Sequence, residues 1–451
     1  MITRHFLTLP ASETNPARRV HYRRCGTGPV LVMVHQSPRS SLEYERLMQE
    51  WAPHFTCIVP DTPGFGHSDA LPGEPDINDY ADALDQFLAA LGVTRCAAYG
   101  FHSGGIILIT ALKRRSERFS CLAVGGYAVW TQAEMDLFGK SYLPPFVPSA
   151  YGEHLIWVWN RLLEQSWYFP WFDARDEARL PGANADFAKL DPAVMDLLDA
   201  GKAYRAGYRA VLNAPRDIPP TDSVTPPVLI TAFHGDPLQE HIDRLGPMPA
   251  GWAARKVDTQ AEHEAQSLAF LQTHVSDPCP PLAQDDDHGF VVVNEGLVHW
   301  HGQRGAKRMV LHQPGAELVK PGANEVAIDV PGHGLSDAAA DIGATIEAAR
   351  VALGASEIVW PALPPGDPAL LYPDLSPDRF GSYLTRAWSV ARAQAIFAPW
   401  YLADKDHTVP IDPAALDPEA IALRTRALLR ARAEAPRYHA FLNDKSGKIL
   451  S

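Results

Sequence analysis

The feature that most constrains this chain is a repeat. Asp61-Thr-Pro-Gly-Phe-Gly-His-Ser-Asp69 recurs as Asp329-Val-Pro-Gly-His-Gly-Leu-Ser-Asp337, with six of nine positions identical and no gap. Around it, Gly289–Gln313 follows the strand, strand, strand course of His5–Gln36, and His312-Gln313-Pro314 stands where His35-Gln36-Ser37 stands. Further on, Gly152 to Phe172 runs against Gly381 to Tyr401 without a gap, pairing Trp159 with Trp388 and Pro170-Trp171 with Pro399-Trp400, and Leu190-Asp191-Pro192 returns as Leu416-Asp417-Pro418. Self-similarity of this kind is the mark of a tandem duplication, so the second half must begin folding on the plan of the first.

That plan is legible in the first half. His5–Pro10 and Arg19–Arg24 read as paired strands, and Pro29–His35 and Phe55–Pro60 are short apolar runs of the kind buried inside a sheet. Ile77–Gly92 carries apolar residues at helical spacing, then come the strand Arg95–Tyr99, the helix Gly104–Lys113 and the strand Ser120–Val124. Strands alternating with helices predict an α/β fold with a mostly parallel central sheet. From about 129 to 222 the pattern becomes helical and rich in Trp, Tyr and Phe, which reads as an inserted lid; of Trp130, Trp157, Trp159, Trp167, Trp171 and Phe172, some are expected to face a pocket and others to pack between lid helices. Pro227–Thr231 resumes the sheet, and the Pro- and Asp-dense stretch Ser276–Asp287 reads as a linker. The expected organisation is a first domain over 1–278, a linker over 279–288 and a partial repeat over 289–451.

The repeat is incomplete. After Leu353-Gly354, where the first half continues to Gly-Phe-His-Ser-Gly-Gly, the second has Ala362-Leu-Pro-Pro-Gly-Asp367 and passes almost directly to its lid-like helices, ending before any returning strands. A half-sheet with an open edge is a liability, so the second copy is expected to pack against the first, as an internal pseudo-dimer, in a structural or substrate-shaping role.

Composition narrows the function. With 40 Lys and Arg against 53 Asp and Glu, a net charge of −13 and no basic stripe, nucleic acid is not an expected partner. The longest apolar runs are strand-sized, and no leader-like segment opens the chain, which predicts a cytoplasmic protein with no membrane span. Cys25, Cys57, Cys96, Cys121 and Cys279 are odd in number and far apart, as reduced core thiols are. No cofactor or metal is called for; His299-Trp300-His301 lacks supporting ligands.

Val34-His35-Gln36-Ser37, Asp61 through Asp69 and Gly100-Phe-His-Ser-Gly-Gly105 together resemble the α/β-hydrolase superfamily across the whole first domain. The resemblance implies an α/β-hydrolase fold with a helical lid, in which a strand ends in Gly-x-nucleophile-x-Gly and turns sharply into a helix. Here the gap-free register places His102, not Ser103, at the nucleophile position. Either His102 acts, as a nucleophile or as a base on water, or the turn is shifted by one residue and Ser103 attacks; the shifted frame would set bulky Phe101 where the turn wants a small residue. The family's acid-bearing loop is matched by Phe233-His-Gly-Asp236-Pro-Leu238, which points to Asp236, and Glu262-His263-Glu264 before the helix Ala265–Thr273 points to His263 as the catalytic histidine. The oxyanion hole is expected from backbone N–H groups of Gln36 or Ser37 with that of Ser103. Arg39, near the mouth, reads either as a group that holds an anionic substrate or as a solvated surface residue.

The implied activity is hydrolysis of an ester, thioester, amide or activated C–C bond in a mid-sized, partly apolar small molecule. Two alternatives stay open: a cofactor-free lyase or oxygenase of this fold, in which a His–Asp pair deprotonates the substrate, and a non-catalytic ligand-binding receptor.

Overall fold

A computed structural model describes residues 1–11, 15–181, 186–274, 276–281, 283, 285–294 and 296–449. Residues 182–185 of the expected lid and 282 and 284 of the expected linker lie outside the described residues. The chain forms two compact units, Met1–Phe146 with Arg161–Gln284, and Val147–Asn160 with Asp285–Ser451.

In the first unit, β1 (Thr3–Leu9) and β2 (Arg18–Cys25) form an antiparallel pair, β3 (Val30–Val34) follows, and α1 (Glu45–Trp51) leads to β4 (Thr56–Pro60). Next come α2 (Ile77–Ala90), β5 (Cys96–Phe101), α3 (Ser103–Arg114) and β6 (Phe119–Gly125). Between β6 and β7 the described residues form four helices, α4 (Gln132–Ser141), α5 (Glu153–Gln165), α6 (Phe187–Ala200) and α7 (Tyr204–Leu212), with residues 153–160 of α5 belonging to the second unit. The sheet then resumes with β7 (Val228–Phe233) and β8 (Trp252–Val257), and α8 (Gln260–Gln272) follows. The eight strands lie in the order β1-β2-β4-β3-β5-β6-β7-β8, parallel from β4 to β8.

The sequence of β3 shows why this sheet is covered on both faces. Successive side chains of a strand point to opposite sides, and Val30, Val32 and Val34 join one core cluster with Leu88 and Ile109, whereas Leu31 and Met33 join another with Met48, Trp51 and Leu271. A strand buried on both faces has no polar side to show, hence its unbroken apolar run. Helix α2 begins where Asp76 accepts N–H bonds from Asn78 and Asp79, while Asp79 returns the bond to the Asp76 N–H, a capping box.

The second unit has β9 (His288–Val293), β10 (Gly296–Gly302), β11 (Arg308–Leu311), β12 (Glu325–Ile328), α9 (Ile342–Leu353) and β13 (Glu357–Val359). After these come α10 (Pro368–Leu371), α11 (Ser382–Gln394), α12 (Pro418–Ala431) and α13 (Ala435–Ile449). Its strand order, β13-β11-β12-β10-β9, is the order that β5-β3-β4-β2-β1 has in the first sheet, with the same parallel and antiparallel pairings. Side-chain bonds recur at matching positions. His21 Nδ1 meets Asp61 Oδ2 at 2.8 Å, and His299 Nδ1 meets Asp329 Oδ2 at 2.7 Å. His35 Nε2 accepts from the Thr62 N–H at 2.9 Å, and His312 Nε2 from the Val330 N–H at 3.0 Å. Tyr438 and Leu442 of α13 complete a core with Trp300 and Ile346.

The grouping of 147–160 with the second unit is a result the sequence did not announce. Its cause is close packing: a Cβ on Gly152 would stand 2.9 Å from the Trp388 ring and one on Gly381 2.4 Å from Trp159 Cγ, so each tryptophan lies on the other segment's glycine. Among the described residues no helix is long and apolar enough to cross a membrane.

Candidate active site

Strand β5 ends at Phe101 and α3 begins at Ser103, leaving His102 alone at a sharp turn with φ 48° and ψ −114°. A side chain held at positive φ is strained by roughly 1–3 kcal/mol and persists only where its surroundings enforce it. Here they do: the His102 N–H donates to the Gly125 carbonyl at 2.8 Å, and α3 approaches β3 so closely that a Cβ on Gly104 would lie 1.9 Å from the Val34 carbonyl oxygen. The turn lifts the imidazole into a pocket of about 220 Å³ whose walls include Trp130, Phe138, Tyr142, Phe169 and Leu238. Of the inserted tryptophans, Trp130 therefore faces this pocket, while Trp159 packs edge-on against Tyr383 within the second unit.

Asp236 reaches the same imidazole. The turn after β7, closed by Asp236 N–H to the Phe233 carbonyl at 3.0 Å, places the carboxylate where Oδ1 meets His102 Nε2 at 3.0 Å and the Leu238 N–H at 2.8 Å. Burial pushes the Asp236 carboxyl up, but the charge and hydrogen bond of His102 and the Leu238 N–H outweigh it, and the net shift is below the usual carboxylate range. A carboxylate can only accept, so at this contact His102 Nε2 is the donor. The pair fits tightly: a Cβ on Gly126 would stand 2.4 Å from His102 Cδ2 and 2.7 Å from Asp236 Oδ2.

His263 lies elsewhere in the network. It sits in the first turns of α8, 1% exposed, with Nε2 2.9 Å from the Tyr99 hydroxyl and Nδ1 2.5 Å from Thr231 Oγ1. Both ring nitrogens are thus engaged, no hydrogen bond joins it to Asp236, and burial lowers its pKa to about 4. The imidazole bonded to the acid comes from the turn itself, in place of the one expected from the segment before the last helix.

Ser103 is also occupied: its Oγ accepts the Ser37 N–H at 2.6 Å and donates to Ser37 Oγ at 3.3 Å. Of the N–H groups expected to form an oxyanion hole, that of Ser37 is therefore taken, and that of Gln36 donates to Glu43 Oε2 at 3.2 Å, while the Gln36 amide holds Oε1 at 2.5 Å. The Ser103 N–H, first in α3, has no helical carbonyl before it. Arg39 is not a solvated surface residue: Nε bonds Asp196 Oδ2 at 2.9 Å, and Ser40 Oγ holds the other oxygen at 2.6 Å. Tyr99, Thr231, Glu43 and Gly126 all shape the site unannounced by motif, although Gly125-Gly126 at the end of β6 was a readable sign of close approach.

A family model described as alpha/beta hydrolase fold matches residues 29–266. Haloalkane dehalogenase 2 of Mycobacterium bovis is 30% identical over 113 residues, 25% of this chain and 40% of that protein. The cis-3-alkyl-4-alkyloxetan-2-one decarboxylase of Shewanella oneidensis is 32% identical over 129 residues, 27% of this chain and 37% of that protein. This chain therefore spans less than half the length of these curated relatives. Among solved structures, epoxide hydrolase A from Mycobacterium thermoresistibile aligns with 18% identity and a TM-score of 0.46, over 61% of this chain and all of that one. With its matched segment running through more than half of the 451 residues, the chain belongs to the alpha/beta hydrolase fold family.

Proposed function

We propose that the first unit is a hydrolase in which His102, oriented by Asp236, is the general base. The observation that carries the reading is the 3.0 Å bond between His102 Nε2 and Asp236 Oδ1 at the apex of the strand-to-helix turn, facing an apolar pocket. In the mechanism, Nδ1 draws a proton from a water molecule in the pocket as that water attacks the substrate, and the Asp236 carboxylate stabilises the imidazolium that forms. His102 then returns the proton to the leaving group. The turn serves as the family's nucleophile elbow with a base in the nucleophile's place, and Ser103 contributes its backbone N–H to the developing negative charge. His263 holds Tyr99 and Thr231 beneath the site, a positioning role.

A pocket of about 220 Å³ lies under the range of roughly 300–1,000 Å³ usual for ligand sites, which favours a small substrate over a mid-sized one. Helices α4, α6 and α7, with the part of α5 from Arg161 onward, act as the lid. The second unit is a truncated copy of the fold, a reading supported by the shared strand order and the paired His–Asp bonds. Within the second unit Trp388 lies on Gly152 and Trp159 on Gly381, so the two repeated segments make the same contact in both directions.

One observation favours a second reading. With the Gln36 and Ser37 N–H groups engaged, a His–Asp base without an oxyanion hole suits proton abstraction by a cofactor-free lyase or oxygenase. Turnover of short-chain 4-nitrophenyl esters and thioesters by the wild type and Asp236→Asn, with intact-mass measurement during turnover, tests the hydrolase. General-base hydrolysis predicts no covalent adduct and a loss on the order of 10³-fold or more in the variant. An acyl adduct on His102 would make it a nucleophile, and no ester turnover at all would favour the lyase.

A further inference from the structure

The second unit has a cleft of its own, about 580 Å³, within the span of small-molecule sites. Its position in the fold repeats that of the catalytic pocket. Gln313 follows β11 as Gln36 follows β3, Gln394 ends α11 as Gln165 ends α5, and all four line their respective cavities. Leu371 and Tyr142 are matched too, for Trp400 Nε1 donates to the Leu371 carbonyl at 3.0 Å and Trp171 Nε1 to the Tyr142 carbonyl at 3.3 Å. No counterpart of His102 or Asp236 is found among the described residues, because the chain leaves β13 for α10 without a strand-to-helix turn and adds no later strand. The cleft can hold a molecule, and among the described residues its lining has no His–Asp pair like that of the first pocket.

Its lining says what it would hold. Phe397, Trp400, Pro364 and Pro399 give apolar and aromatic wall. Arg424, half-buried in the cleft, donates one N–H to the Ala415 carbonyl at 3.0 Å and makes no ion pair among the described residues. A guanidinium carries five N–H donors in a fork that matches a carboxylate, so most of this one is uncommitted. Two carboxylates share the wall. Asp412 is occupied by the Ala414 N–H at 3.0 Å, and burial raises Glu317 above the usual range while Arg424 and Arg426 draw it back.

We propose that this cleft is a non-catalytic binding site for a small carboxylate with an aromatic or alkyl tail, its charge on Arg424 and its tail against Trp400 and Phe397. The proposal stands on the lining of the second unit and not on the reaction assigned to the first.

The test is titration of the full chain with 4-phenylbutyrate, followed by calorimetry and tryptophan fluorescence. Saturable binding is expected, unchanged in His102→Ala, weakened roughly ten-fold or more in Arg424→Gln and for the neutral amide 4-phenylbutyramide, and strengthened in Glu317→Gln. The amide comparison uses the unaltered protein, so it decides even if Arg424→Gln fails to fold. Absence of saturable binding to about 10 mM, equal affinity for acid and amide, or binding lost in Trp130→Ala of the first pocket would each overturn the proposal. Failure of the hydrolase reading registers separately, as absent ester turnover.

Discussion

Replacing His263 by Gln separates a structural histidine from a catalytic one. The residue is 1% exposed and holds two buried hydroxyls, Tyr99 at 2% and Thr231 at 0% exposure. Gln can satisfy one of them, and leaving the other unpaired costs about 1–3 kcal/mol, to which loss of the ring contacts with Phe101 and Phe233 adds. The pH dependence carries the sharper signature. Burial lowers the His263 pKa to about 4, so the unfolded chain binds the extra proton between that value and its own pKa near 6.5. The neutral residue's contribution is therefore present above pH 6.5 and lost as the pH falls through 4. At 1.36 kcal/mol per unit the loss is about 3 kcal/mol. Urea unfolding at pH 7 and pH 4 reads it directly: the stability gap between wild type and His263→Gln narrows by about 3 kcal/mol at the lower pH, and ester turnover of the folded variant stays within about ten-fold of wild type. A gap that does not change with pH, or a turnover loss near 10⁴-fold at unchanged stability, would refute this assignment.

Two further substitutions probe the geometry around His102. Gly126→Ala forces a methyl to within 2.4 Å of His102 Cδ2 at a backbone φ of +55°, so steady-state kinetics are expected to show kcat falling by about 10²-fold or more as the dyad is displaced; wild-type kinetics would mean that the 3.0 Å contact is not needed. Glu43→Ala releases the Gln36 N–H and removes a negative charge beside the reacting centre, and ester kcat is expected to rise by roughly ten-fold; a fall would show that Glu43 supports the productive loop.

The chain disclosed the strands that are buried on both faces, because Val30–Val34 and Thr56–Pro60 have no polar side to confuse the pattern. It did not disclose β8, whose Trp252-Ala-Ala-Arg-Lys-Val257 exposes Arg255 and Lys256 at the sheet's edge and reads as ordinary polar surface. Gly100, Gly104 and Gly105 fixed the register that puts His102 at the turn, since each glycine marks a place where two backbones or a side chain and a backbone meet too closely for a Cβ. Which imidazole reaches Asp236 was not legible. His102 and His263 both match family positions, and only the three-dimensional turn decides that the first occupies the acid while the second is held by Tyr99 and Thr231. The engagement of Gln36 by Glu43 was hidden for the same reason, arising from a 3₁₀ turn over Ser41–Tyr44 that folds a surface-patterned carboxylate back onto the loop.

The measurement that bears most directly on the account is kcat/KM for a short-chain aryl ester with His102→Ala, Ser103→Ala and the wild type, each confirmed folded by its unfolding transition. A base at the turn predicts a loss of about 10³-fold or more in His102→Ala and a change within about ten-fold in Ser103→Ala. Retention of activity in His102→Ala with its loss in Ser103→Ala would contradict the account and make Ser103 the attacking group.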